Sequence, residues 1–192
     1  FGNAAVNSSI YKTDCPDDDP YVDFVSAMKN EFGDSSVNTT LCDNVYQGMS
    51  ATGTSSVAEA AISDVKKYES TWQSDYNDAA VVVFARNGSE GNDVYQYSAD
   101  DTYSDGSARR MMDLSTNEQA LIEYLSAQKK AGVFKSIVVV IASEFQMELG
   151  FLDEYDIDAC LLTGMTGSYG CEAIAQVLEG TVNPSGRTVD TY

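Results

Sequence analysis

Residues 79–85 read AAVVVFA and residues 136–142 read SIVVVIA, and these two apolar runs decide the fold. Each run has the length of a strand without polar alternation, which is typical of a strand buried on both faces, as in parallel sheets. A shorter run, DACLLT, occupies residues 158–163. We expect the three runs to form adjacent parallel strands of one sheet.

Helical patterns precede and separate these strands. The segments that carry them are 21–32, 57–70, 115–131, 146–154 and 169–178. Ser115 and Glu118 fit a capping box at the start of the third of these helices. The polar stretch 86–113 is expected to be a long loop. Strands that alternate with helices predict an α/β fold with a mainly parallel sheet flanked by helices on both faces, an α/β/α sandwich.

Nothing in the chain resembles a linker or a repeat, so residues 1–192 are expected to form a single domain. Residues Phe1 to Ala5 read like the end of a strand that enters a loop. The chain is therefore expected to be a fragment or a processed piece of a longer protein.

The composition excludes several classes of function. Of 192 residues, 30 are acidic and 11 are basic, and the net charge of −19 repels phosphate backbones, which argues against nucleic-acid binding. No apolar run approaches the roughly 20 residues of a membrane span. The chain contains no histidine, which removes Ser-His-Asp, Cys-His and histidine–metal mechanisms. Acid–base chemistry must therefore come from carboxylates, Lys, Tyr or Cys.

Cysteines and glycosylation sequons favour an extracellular or cell-surface location. The cysteines are Cys15, Cys42, Cys160 and Cys171, and the N-x-[ST] sequons begin at Asn7, Asn38 and Asn87. Two disulfides allow three connectivities, of which the local one joins Cys15 to Cys42 and Cys160 to Cys171. Isolated buried thiols are the alternative.

Two motifs resemble ligand sites but lack the required spacing. Gly164, Gly167 and Gly170 lie between a strand and a helix without either nucleotide-loop pattern, so a tight turn is expected there. The acidic triplet at 17–19 and the acidic pair at 100–101 lack the alternating ligands of a calcium loop and are interpreted as solvated loops. We therefore expect neither a cofactor nor a metal.

Glu90 is the candidate catalytic residue. It follows the first buried strand, and Gly88 and Gly91 on either side allow the backbone to approach a ligand closely. Ligands of such sheets bind beyond the carboxyl ends of the strands, where a carboxyl is well placed for proton transfer. The alternative is an ordinary solvated glutamate.

The amino-acid sequence of the second half of the chain resembles a known family. Residues 80–86 followed by Ser89-Glu90-Gly91-Asn92-Asp93 resemble the "strand, Arg, then G-E-G-x-D" element of the second domain of family 3 glycoside hydrolases. Other stretches are also similar to that domain: 114–122, 137–141, 147–149, 158–161, 170–177 and 183–192. Residues 147–152 and 187–192 are most similar to β-glucosidase-like proteins of clostridial-type Firmicutes.

The resemblance implies one half of a retaining β-glycosidase. In that family a (β/α)8 barrel supplies an aspartate nucleophile, and the α/β sandwich supplies the acid/base carboxyl, which maps onto Glu90. Retention requires the two carboxyls to lie only ~5–5.5 Å apart, so the barrel would have to close over the Glu90 loop. The implied partners are this barrel and a carbohydrate.

Two functions remain open at this point. The first is the acid/base-bearing domain of a secreted or surface enzyme that hydrolyses β-linked glycosides, incomplete without its barrel. The second is a non-catalytic extracellular domain with a structural role, derived from the same fold and capable of self-assembly. A glycan on Asn87, three residues from Glu90, would crowd the catalytic cleft and fits the second function.

Overall fold

A computed structural model describes residues 1–2, 22–88, 90–143, 145–164, 166–167 and 169–188. Its strands are β1 (Ala79–Arg86), β2 (Tyr97–Thr102), β3 (Ala108–Arg110), β4 (Ser136–Ser143) and β5 (Ala159–Leu162). Its α-helical segments are α1 (Phe24–Phe32), α2 (Thr39–Leu41), α3 (Ile62–Val65), α4 (Glu69–Ser74), α5 (Thr116–Lys130), α6 (Phe151–Glu154) and α7 (Gly170–Glu179). Short 3₁₀ turns cover Asp34–Ser36 and Lys66–Tyr68, and a π-helical turn covers Cys42–Tyr46.

The three apolar runs form one parallel sheet, as predicted. The strand order is β1-β4-β5, with Ala79 opposite Ser136 and Val138 opposite Ala159. The backbone of Phe1 lies along the other edge of β1, where its nitrogen donates to the Val81 carbonyl at 2.9 Å. Its carbonyl accepts from the Val83 nitrogen at 3.0 Å.

Helices cover both faces of this sheet because successive strand side chains point to opposite sides. Val82 and Val139 belong to a large cluster that includes Trp72 of α4 and Leu121 and Leu125 of α5. The neighbouring positions form a second cluster, built from Val83 and Val140 with Phe24 and Ala27 of α1 and Ile174 of α7. The predicted α/β/α sandwich is confirmed.

Local sequence signals set the start of α5. The Ser115 hydroxyl accepts from the Glu118 backbone nitrogen at 3.2 Å, and the Glu118 carboxylate accepts from the Ser115 nitrogen at 2.8 Å. These reciprocal bonds satisfy two backbone donors that no helical carbonyl could reach. The predicted capping box is confirmed.

The helix expected over 57–70 begins later and is broken. Residues 57–61 are not helical, and α3 starts at Ile62 after an extended Ala61 with ψ 138°. Tertiary contacts explain the difference, because the Glu59 carbonyl accepts from the Asn117 side-chain nitrogen at 2.9 Å and the Glu59 side chain is buried. Bonds to α5 therefore replace the first helical turn.

The stretch 86–113 is not only a loop, because β2 and β3 form an antiparallel hairpin within it. The connection contains Asp105 and Gly106, and Gly106 adopts a φ of +84°, a value that glycine reaches without steric cost. An Asp-Gly pair is a strong hairpin signal, but the acidic strand β2 lacks the apolar alternation that would have identified it.

The local pairing of Cys160 with Cys171 is wrong for this structure. Cys42, Cys160 and Cys171 are free thiols, and Cys15 lies outside the described residues. Cys160 packs against the cluster on the α5 face of the sheet, whereas Cys171 belongs to the cluster on the α1 and α7 face. The sheet therefore separates the two sulfurs, and a disulfide requires Cα atoms within about 7 Å.

Among the described residues, no helix has both the length and the apolar character that a membrane crossing requires.

Candidate active site

The carboxyl ends of β1 and β4 bring two loops together. Arg86, the last residue of β1, pairs with Ser143, the last residue of β4. The first loop continues to Glu90 and the second to Phe145. The loops touch at Gly88, where an added Cβ atom would lie 3.7 Å from Val94 and 4.0 Å from the Phe145 ring. This is the edge at which the sequence predicted a ligand site.

An open depression lies between these loops. Its volume is about 440 Å³, and its lining residues are Gly88, Glu90, 92–96, Met111, Met112 and Phe145. Glu90 is exposed, so its carboxylate is available to a molecule in the depression. A second carboxyl, that of Asp93, lines the same space.

Arg86 anchors one wall of the depression. It is 1% exposed and forms a two-point ion pair with Glu118, in which both N–O distances are 2.8 Å. Its remaining donors bind the carbonyls of Ala85, Met111 and Asp113, each at 2.7 Å. The guanidinium thus ties the end of β1 to the start of α5 and to residues 111–113, which follow the hairpin.

Sequence reasoning did not assign this role to Arg86 or Glu118. Arg86 appeared only as part of a family-like element, and Glu118 only as a helix cap. One signal was present, because an arginine at the end of a fully apolar strand is buried and must find an acidic partner. The identity of that partner, 32 residues away, depends on the tertiary structure.

Ser143 positions Phe145 on the opposite wall. The Ser143 hydroxyl donates to the Phe145 carbonyl at 2.7 Å and lies 3.3 Å from the Phe145 backbone nitrogen, which donates to it. This turn carries the Phe145 ring to the Gly88 backbone. A Cβ atom at position 88 would therefore be in van der Waals contact with the ring.

The two described sequons have structural roles. The Asn38 side chain caps α2 by accepting from the Leu41 nitrogen at 3.1 Å, and its amide nitrogen donates to the Thr71 hydroxyl at 2.6 Å. The Asn87 amide nitrogen donates to the carbonyl of Thr52, a buried residue. In both cases the side-chain nitrogen to which a glycan would be attached donates a hydrogen bond within the fold. Asn7 lies outside the described residues.

A second buried carboxyl, Glu59, lies close to Glu118. Burial, and after it the negative charge of Glu118, raises the pKa of Glu59 to about 8. One Glu59 carboxyl oxygen accepts from the Ala60 nitrogen at 2.8 Å. No pattern around Glu59 predicted its burial, since the segment was expected to be an amphipathic helix.

Metal ligation is not indicated at these residues, because the described part of the chain contains no group of three or more Cys, Asp or Glu side chains placed to hold an ion. The chemistry that the depression offers is that of carboxyls. Glu90 can donate or accept a proton at a molecule bound beside it.

Comparison with known proteins agrees with this fold. A family model described as the glycosyl hydrolase family 3 C-terminal domain matches residues 7–192. No curated protein matches the sequence. Since the match covers nearly the whole chain and the α/β sandwich is observed, the chain belongs to the glycosyl hydrolase family 3 C-terminal domain family.

Proposed function

We propose that this chain is the acid/base-bearing domain of a retaining β-glycosidase and that Glu90 is the acid/base. The observation that supports the proposal is the place of Glu90, exposed on the loop after β1 and lining a depression of about 440 Å³. The depression lies at the carboxyl edge of a parallel sheet, where such folds bind their ligands.

The proposed reaction has two steps. Glu90 first protonates the leaving glycosidic oxygen while an aspartate of a (β/α)8 barrel attacks the sugar and forms a covalent intermediate. The ionised Glu90 then takes a proton from water, which releases the sugar. Retention places the two carboxyls ~5–5.5 Å apart, so the barrel, as another domain of the same protein, would have to cover the depression.

The proposed substrates are β-linked glucosides or related sugars. We base this choice on the sequence resemblance of residues 147–152 and 187–192 to β-glucosidase-like proteins. A net charge of −19 favours neutral ligands over anionic ones. We further propose a secreted or surface location. Protease treatment of intact cells tests it, because a surface protein is cleaved while cytosolic markers survive.

The decisive experiment is Glu90→Gln in the intact parent polypeptide. Turnover of a glycoside with a poor leaving group should fall by roughly 10²–10⁴, the usual contribution of general acid catalysis. An activated aryl glycoside needs little protonation and should lose less in the first step. Azide should partly restore release of the intermediate, because an anionic nucleophile needs no general base.

Glu172→Gln is the matched control. Glu172 is an exposed glutamate on α7, and no residue of that helix lines the depression. Its variant should retain parental activity on every substrate. Equal activities of the parent and Glu90→Gln would assign the acid to another residue. An inactive parent with a glycan on Asn87 would instead support the non-catalytic assembly domain.

A further inference from the structure

Two exposed tyrosines stand beside the depression. Tyr95 is 64% exposed and Tyr97 is 49% exposed. The other large hydrophobic side chains exposed among the described residues reach at most 43%. The two most exposed rings of the described chain are thus two residues apart.

Their position connects them to Glu90. Tyr95 and Gln96 line the depression together with Glu90, and Tyr97 begins β2 immediately beyond it. Because only Gln96 separates Tyr95 from Tyr97, their Cα atoms lie within about 7 Å of each other. That separation is close to the length of one sugar unit in a chain.

The backbone that carries the two rings is held on both sides. The Tyr95 nitrogen donates to the Thr54 carbonyl at 2.9 Å, and the Gln96 carbonyl accepts from the Met111 nitrogen at 3.1 Å. Tyr97 pairs in register with Arg110 of β3. Rings on such a backbone lose little conformational entropy when a ligand covers them, since tyrosine has only two side-chain torsions.

The surroundings specify the chemistry of the ligand. A tyrosine ring offers an apolar face and a polar hydroxyl, which suits a ligand that has both C–H faces and hydroxyl groups. Asp93 lines the depression, and Asp100 is exposed in β2, so an anionic ligand would be repelled. A neutral sugar chain meets both conditions.

We propose that Tyr95 and Tyr97 form a platform for the leaving group of the substrate. Tyr95 stacks on the sugar unit next to the bond that is cleaved, and Tyr97 stacks on the following unit. The protein therefore prefers oligosaccharides whose leaving group contains two or more sugar units. This inference rests on the proposed function, because it takes Glu90 as the point of cleavage.

The test compares Tyr97→Ala and Tyr95→Ala in the intact parent polypeptide. The substrates are 4-nitrophenyl β-glucoside and gluco-oligosaccharides of two and three units with β-1,4 or β-1,3 linkages. Tyr97→Ala should lower kcat/KM for the trisaccharide by about five- to tenfold, the effect of one aromatic stacking contact, and leave the disaccharide within about twofold. Tyr95→Ala should lower kcat/KM for both. Tyr97→Phe should retain the preference.

Phe32→Ala is the control, because Phe32 is a partly exposed ring at the end of α1 and does not line the depression. It should leave the ratio of trisaccharide to disaccharide unchanged. An unchanged trisaccharide-to-disaccharide ratio of kcat/KM in Tyr97→Ala would overturn the platform proposal. Cleavage of the aryl glucoside by the parent would still support the proposed function of Glu90. Equal losses on all substrates with a lowered Tm would also overturn it, since the rings would then pack against the barrel.

A parent that cleaves none of these substrates would contradict the proposed function. Calorimetric titration with cellotetraose and laminaritetraose then tests the platform by itself. Binding that weakens about fivefold or more in Tyr97→Ala supports the sugar-binding platform, and the absence of binding to the parent overturns it.

Discussion

At the scale of single residues, the ion pair between Arg86 and Glu118 is the most buried charged contact described, with side chains 0% and 2% exposed. Glu118→Gln keeps the shape of the cap but leaves the guanidinium without a counter-charge. We expect a loss of about 3–5 kcal/mol in the free energy of unfolding, measured with urea. Asp64→Asn, which removes an exposed pair with Lys67, should leave the free energy of unfolding nearly unchanged, because solvent screens exposed ion pairs. Similar losses for the two variants would contradict the structural role of Arg86.

The buried Glu59 predicts a pH dependence of stability. Its folded pKa of about 8 lies above the ordinary value of 4.5, because burial and the charge of Glu118 disfavour the ionised form. The folded chain then holds a proton that the unfolded chain has lost. The contribution of Glu59 to the free energy of unfolding should therefore be greatest below about pH 4.5. It should fall by a few kcal/mol as the pH rises to about 8.

Urea unfolding of the 192-residue chain between these pH values measures the slope, and the absence of histidine simplifies its assignment. Glu59→Gln should remove most of the slope, whereas Glu172→Gln should keep it. A parental stability that does not change across this range would show that Glu59 is ionised in the folded protein.

At the scale of elements, α7 ends where the chain turns left-handed. Gly180 has a φ of +92° and bonds back to the Gln176 carbonyl at 3.0 Å. A Cβ there would contact nothing within 4 Å, so Gly180→Ala tests backbone strain alone. We expect a loss of about 1 kcal/mol in thermal or urea unfolding.

Gly150, which precedes α6, is the matched control for this glycine. Its φ is −55°, and an added Cβ again meets nothing within 4 Å. Gly150→Ala should therefore be neutral or stabilise by up to about 1 kcal/mol. Equal effects of the two substitutions would argue against the left-handed end of α7.

At the scale of the whole molecule, net charge opposes the compact state. Thirty acidic residues against eleven basic ones leave many carboxylates without a partner, and their mutual repulsion is long-ranged at low ionic strength. Raising sodium chloride from about 0.01 M to about 0.3 M at pH 7 should raise the Tm. Choline chloride should act equally if screening is the cause, and an effect of sodium alone would indicate specific ion binding.

Some residues of the candidate site could be predicted from the sequence, and others could not. Glu90 could be placed at the sheet edge because it follows an unmistakable buried strand and two glycines flank it. Tyr95 and Tyr97 could not be identified, because β2 has no apolar alternation and its pairing with β3 depends on a turn nine residues further along. Phe145 could not be placed against Gly88, since their approach requires β1 and β4 to be neighbours.

The sequence by itself determined the elements whose energetics are local. Continuous apolar runs specify strands buried on both faces, and Ser115 with Glu118 specifies the start of α5, because each signal lies within a few residues of the structure that it stabilises. Only the tertiary structure decided that Arg86 pairs with Glu118, that Glu59 is buried, and that the sheet separates Cys160 from Cys171. These outcomes depend on desolvation and on contacts between segments far apart in the chain, and no short window of sequence contains both partners.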